Sequence, residues 1–239
     1  MLKTIGADIW AYGKEIKLGA GMSMPCRATI LRLPDGQLVV HSPLALDDAT
    51  AKEIDGLGDV RYLIAPNCIH WMFLKAAKER YPKARVFGAP GLAKKLGSFA
   101  FEHLPERGEI DGVRGLRVER IQGVPNIEEH AFLHEASRSL IVTDLMFNIH
   151  QCRSFGMRCV LRIVGAWKKT SQSRIWRLMV KDRAAAARSA SNVLSWDFER
   201  VVVAHGEVVE DDARERARQA LTWMTSGARP LLGPGSAVA

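Results

Sequence analysis

The sequence predicts an α/β fold, and three observations carry the prediction. Short apolar runs bounded by turn residues fall into two groups, each followed by stretches of helical periodicity. From Val60 the order runs strand, helix, strand, helix, which calls for crossover connections and at least partly parallel strands. Hydrophobic residues make up 47% of 239, enough to bury a sizeable core. This order suits two packed sheets with helices outside. It also suits an ordinary three-layer α/β domain, and periodicity alone does not separate the two.

Ile5 to Tyr12 is the first candidate strand. Arg27 to Leu33 alternates, Pro34-Asp35-Gly36 is a strong turn, and Leu38 to His41 is the return strand of a hairpin. Asp47 can cap a helix over Asp48–Ile54. Val60 to Ala65 is an apolar strand that stops at Pro66. Phe73, Leu74, Ala77 and Tyr81 then share one helix face, and Pro82 ends the helix. Val86-Phe87 is a strand and Gly91 to Leu96 a short helix. Leu116–Ile121, His130–Glu135 and Leu140–Thr143 form the second strand group, the last two joined tightly at Ser137-Arg138. Helices follow, with Trp176, Met179 and Val180 on one side and an Ala-rich stretch over Arg183–Val193. Val201-Val202-Val203 is a fully apolar strand, and Asp211 to Met224 a last helix. Residues 1–226 are expected to form one domain with a basic helical insert at about 150–199, and the Gly/Pro-containing segment 227–239 a loose tail.

The net charge is +8, and residues 151–200 carry eleven Lys/Arg against three acids, which equals the whole excess. Such a field attracts nucleic acid, anionic lipid or an anionic small molecule, unless it is simply a solvated helix surface. No stretch approaches the roughly 20 apolar residues of a membrane span, so no membrane partner is expected. The N-terminus lacks a signal-peptide pattern, which gives a cytoplasmic expectation. Cys26, Cys68, Cys152 and Cys159 match no C-x-x-C pair and read as reduced, partly buried thiols. No G-x-S-x-G elbow, P-loop or G-x-G-x-x-G is present.

His41, His205 and Asp144 stand at or just after predicted strand ends, and His70 follows one across a short loop; there a rigid sheet projects side chains into a crevice. An acid in Asp144's place must be paired, hydrogen-bonded or metal-bound, because burying it alone costs several kcal/mol. Cys68 is a candidate nucleophile if His70 lowers its pKa, or else a buried inert thiol. His41-Ser42 shows no acid to complete a triad. His130 and His134 share one strand face and are expected on the sheet surface. Trp167, Trp176 and Trp196 are expected as core anchors rather than base-stacking platforms.

Two short motifs carry a resemblance. Thr143-Asp144-Leu145-Met146-Phe147 resembles the G-D-x-x-F strand end of the metallo-β-lactamase superfamily, and Val203-Ala204-His205-Gly206 resembles its P-G-H-G motif. Ile64–Phe73 takes the place of the superfamily's H-x-H-x-D-H loop, and Ile121–Pro125 that of its G-H-x-x-G loop. The departures are large. Read from Asn67, the loop's ligand positions hold Asn67, Ile69, Trp71 and Met72, and Val124 stands where the second loop has histidine. Pro66-Asn67-x-x-His70, Glu129, Ser137–Leu140 and Thr143-Asp144 together resemble a less studied, uncharacterised branch of bacteria and plants.

The resemblance implies a four-layer αββα sandwich with a degenerate metal site. A two-metal centre lacks ligands. A single zinc or iron ion is the cofactor that His70, Asp144 and His205 would take, with Glu129 replacing the missing loop histidine. Asp144 and His205 are then the candidate catalytic residues, and Asn67, Cys68 and His41 line the pocket. The activity implied is hydrolysis of a small anionic ester, thioester or phosphorylated substrate, received by cations of the insert. The alternative is a non-catalytic protein binding a small molecule or partner in the vacated pocket, with His70, Glu129, Asp144 and His205 as a buried hydrogen-bonded network. A nucleic-acid-associated role rests on charge and ranks last.

Overall fold

In the computed structural model, which describes residues 1–226, two sheets lie face to face with helices outside both. The segment 227–239, expected as a loose tail, lies outside the described residues. The first sheet runs in chain order through β1 (Lys3–Gly6), β2 (Ile9–Gly19), β3 (Met22–Arg32), β4 (Leu38–His41), β5 (Val60–Ala65), β6 (Arg85–Gly88) and β7 (Glu102–His103). Its first four strands are antiparallel and its last four parallel, with α1 (Asp48–Asp55) and α2 (Leu74–Arg80) as crossovers. The second sheet has β8 (Arg107–Ile110), β9 (Val113–Arg120), β10 (His130–His134), β11 (Ser139–Val142) and β12 (Arg200–Val203), in the order β12-β11-β10-β9-β8. The remaining helices are α3 (Ala93–Leu96), α4 (Phe155–Ile163), α5 (Arg174–Leu178), α6 (Arg183–Leu194) and α7 (Ala213–Thr225).

Strand alternation builds the layers. On β5, Tyr62 and Ile64 enter the core between the sheets, while Leu63 and Ala65 face the helices. On β12, Val202 points between the sheets, and Val201 and Val203 point toward α6 and α7. A strand buried on both faces has no polar side, which is why residues 62–65 and 201–203 read as uninterrupted apolar runs. Asp47 caps α1 by accepting from Thr50 N at 2.8 Å, as its position before the helix predicts.

Three expectations need correction. The first strand is not continuous from Ile5 to Tyr12: Asp8, at φ 58°, breaks it into the β1–β2 hairpin. The strand expected from Arg27 begins at Met22, since β2 and β3 run on to a turn at Gly19–Gly21. His130 and His134 do share a face, but with Phe132 between the sheets, and both are fully buried. The reason is that the first sheet covers this face and helices cover the other, which leaves neither face of β10 in water.

Burial has a measurable price for these imidazoles. It pushes His130 down to about 4, and burial, with the charge of His70, pushes His41 down to about 3. Both are neutral in the fold, and the Nε2 of each is buried without a partner. Below pH 6.5 the unfolded chain therefore takes up protons that the fold refuses. Stability present above pH 6.5 should be lost as pH falls, by about 3 kcal/mol from His130 alone on reaching pH 4. Urea unfolding between pH 7 and 5 tests this. His130→Gln should flatten the slope by up to one proton, and an unaltered slope would refute the assignment.

Candidate metal centre

The ends of β4, β5, β11 and β12 and the middle of β3 bring the site together. Asp144 follows β11, His205 follows β12, and His70 sits on the loop after β5. His70 Nε2 lies 3.1 Å from His205 Nε2, 3.4 Å from Asp144 Oδ2, and Asp144 Oδ1 is 3.5 Å from His205 Nε2. The two motif residues on which the resemblance rests thus meet at one sheet edge. Cys26 on β3 joins them: its Sγ and ring nitrogens of His70 and His205 all lie within 4.8 Å of one another.

Each group is held from behind. His205 Nδ1 is 3.0 Å from the Pro25 carbonyl, to which it donates, so its Nε2 lone pair faces the cluster. Phe147 stacks on the same ring at 5.2 Å and 13°. Gly206 is at φ 105°, and a Cβ there would come within 2.1 Å of the Asn148 carbonyl, so only glycine lets this loop close. Arg27 donates to the Val203 and Gly206 carbonyls and ties β3 to the His205 loop. His70 Nδ1 pairs with Ser42 Oγ at 2.7 Å.

Asn67 is the hub. Its Nδ2 donates to Asp144 Oδ2 at 2.7 Å, Glu129 Oε2 at 2.6 Å and Thr143 Oγ1 at 3.0 Å. Its Oδ1 accepts from the backbone of Ile69 and His70, which shapes the loop. Glu129, expected near the ion, instead accepts from Asn67, from Thr143 N and Oγ1, and from Leu145 N. It stands one residue behind the cluster. Burial and the neighbouring Asp144 raise its pKa.

The electrostatics follow from this packing. Burial opposes charge on every member, but His70 and His205 hold the Asp144 carboxyl well below the usual carboxylate range. Asp144 in turn outweighs burial at both histidines and raises them. Burial pushes the Cys26 thiol up, yet its hydrogen bond with His70 and both imidazole charges win, and it lies below its ordinary value.

Other predicted residues fall outside. Cys68 is buried beside Gly91 and Glu128, and burial raises its thiol, so it is not activated by His70. His41 lies between the sheets with its ring edge-on to Phe132 at 4.9 Å. Ser42, seemingly without an acid, is linked through His70 to Asp144. Cys26 escaped sequence reading because β3 was expected to begin after it and no spacing marks an isolated cysteine.

A cavity of about 130 Å³ reaches the cluster, bounded by Cys26, Ser42, His70, Asp144 and His205 at its floor and by apolar walls including Met24, Leu44 and Phe73. Its mouth carries the exposed side chains of Leu18, Ile69 and Met72. Among the described residues no lysine or arginine lines it. Of the insert's cations, Arg153 lines a neighbouring cavity with Cys26 and Arg27, while Arg158 lies over Phe155, Arg162 over Trp167 and Arg177 over Trp223. Trp176 and Trp196 are core residues, as expected, and Trp167 is partly buried. Among the described residues no helix is long and apolar enough to cross a membrane.

A family model described as a domain of unknown function, DUF4336, matches residues 7–94, less than half the chain. No curated protein matches. Among solved structures, the flavodiiron core of Flv1 from Synechocystis sp. PCC6803 is similar with a TM-score of 0.67 and 13% identity, over 94% of this chain and 60% of that one. The metallo-β-lactamase FIM-1 from Pseudomonas aeruginosa, in its mono-zinc form, gives 0.62 and 11% over 94% and 96%. A metallo-β-lactamase from Pontibacter korlensis gives 0.61 and 12% over 93% and 98%. With two sheets, outer helices and a cluster at their shared edge, the chain has the metallo-β-lactamase fold.

Proposed function

We propose that the chain is a single-metal hydrolase acting on a small ester or thioester with an apolar acyl part, its ion held by Cys26, His70 and His205 with Asp144 beside them. The convergence of one thiol and two imidazole nitrogens carries this reading. With His205 Nδ1 committed to a carbonyl and His70 Nδ1 to Ser42, two nitrogens face each other beside a carboxylate, an arrangement that a shared metal ion would satisfy as well as a shared proton does. Three protein ligands and a free position are the pattern of catalytic zinc, and a thiolate favours zinc over iron. Cys26 takes the ligand role expected of Glu129. An ion there supplies Lewis acidity, polarising a carbonyl and acidifying water.

The residues around it have separable tasks. Asp144, held by Asn67 and kept strongly anionic, accepts a hydrogen bond from the attacking water and orients it. Met24, Leu44 and Phe73 keep bulk water from the floor. The anionic substrate expected from composition finds no cation in the cleft, whereas an acyl chain matches its walls. Elemental analysis of purified protein tests the centre. Cobalt-loaded protein should show a thiolate-to-metal charge-transfer band that Cys26→Ser removes. Protein that retains no metal after equilibration with zinc would end this reading.

The Ser42–His70 contact favours a second reading, a serine hydrolase without metal. If Ser42 donates to His70 Nδ1, the opposite nitrogen carries its proton toward Asp144. Ser42 is at φ 53°, a strained left-handed conformation for a serine directly after a strand. One bond with two tautomers divides the readings. A fluorophosphonate probe should label Ser42 of metal-depleted protein only if the second holds.

A further inference from the structure

Residues 151–181 contain eight Lys/Arg and no Asp or Glu. Among the described residues none of the eight makes an ion pair, although fifteen salt bridges occur elsewhere in the structure. Among the described residues, the same stretch holds half of the eight exposed large hydrophobics: Phe155 (71%) and Ile163 (71%) on α4, Ile175 (52%) and Leu178 (83%) on α5. The two helices are joined, since Arg174 N donates to the Val164 carbonyl at 2.8 Å and Arg174 Nη1 to the Ile163 carbonyl at 3.0 Å. Helix α4 turns Met157 and Leu161 inward, so Phe155 and Ile163 are surplus to its own core.

We propose that the α4–α5 face is a docking surface for an anionic phospholipid bilayer. Exposed aliphatic and aromatic side chains enter the headgroup boundary while unpaired cations meet lipid phosphates and carboxylates, which requires no spanning helix. The absence of a spanning stretch, from which no membrane partner was expected, leaves this mode open. Charge selects the occupant. A second copy of the chain would set like charges against each other. Nucleic acid would use the cations but gives Ile163, Ile175 and Leu178 nothing to bury in. A bilayer uses both. The β2–β3 hairpin links the two sites: Met22 and Met24 pack on the insert's own core, and Leu18 and Met24 line the cleft with its apolar mouth.

Flotation with phosphatidylcholine vesicles, with and without phosphatidylserine, tests the proposal. The protein should float with the phosphatidylserine vesicles alone, and salt should weaken binding. Arg162→Gln should weaken it about fivefold. The double variant Ile163→Ser, Leu178→Ser leaves the charge intact and alters only exposed positions, and should weaken it at least about tenfold. An unfolding curve matching the parent's confirms that this variant folds. The proposal is overturned if the parent ignores phosphatidylserine at low salt. It is also overturned if the double variant binds as the parent does and duplex DNA displaces both, the result expected of a purely electrostatic nucleic-acid face. Flotation should be unaltered by a chelator, so its failure is read separately from failure of the metal centre.

Discussion

His205→Ala should bind zinc at least 100-fold more weakly than the parent, and hydrolytic turnover should vanish with the metal. Removing a partner behind a ligand already weakens metal binding about 10–100-fold, and His205 is itself a donor. Its loss leaves Cys26 and His70 without the nitrogen that closes the set, and Asp144 without one of its two imidazole partners. Asp144→Ala should act in the same direction. Competition with a chromophoric chelator measures both. Affinity should also fall as pH falls, because protons on His70, His205 and Cys26 compete with the ion for the same atoms. Zinc affinity of His205→Ala within a few-fold of the parent would show that the imidazoles do not share an ion.

Asn67→Leu should cost about 3–5 kcal/mol of folding stability. The substitution is close in size but removes the donor shared by Glu129 and Asp144, both of which stay in place and buried. It also releases Ile69 N and His70 N, which hold the loop. Losing one shared partner is worse than losing the whole network, since the remaining charges face each other without water. Thermal unfolding should shift down by roughly 10 °C for a chain of this size. Asn67→Asp is a harsher control, because it adds a third carboxylate. A shift of a degree or two for Asn67→Leu would mean that water substitutes for the amide.

Layering was legible wherever burial on both faces leaves an apolar run, as over 62–65, 140–142 and 201–203. The convergence of Asp144 and His205 was legible too, because short motifs fix both the residue and its place at a strand end. Other features were hidden for physical reasons. The Asp8 turn needs a left-handed residue that nothing in its neighbourhood announces. His130 and His134 look amphipathic until a second sheet covers them. Cys26 acquires meaning only from residues far along the chain, and Glu129 is held back from the cluster by an amide sixty-two positions earlier. The insert's charge was counted from the sequence, but which apolar side chains stand outside the fold beside it was not.

The carboxamide of Asn67 would limit how many ions the proposed centre could hold. An amide nitrogen has no lone pair to offer a cation, and its hydrogens point at the very oxygens that a neighbouring ion would need. The space beside Cys26, His70 and His205 is thereby filled with fixed donors, so any ion held there would be a single one.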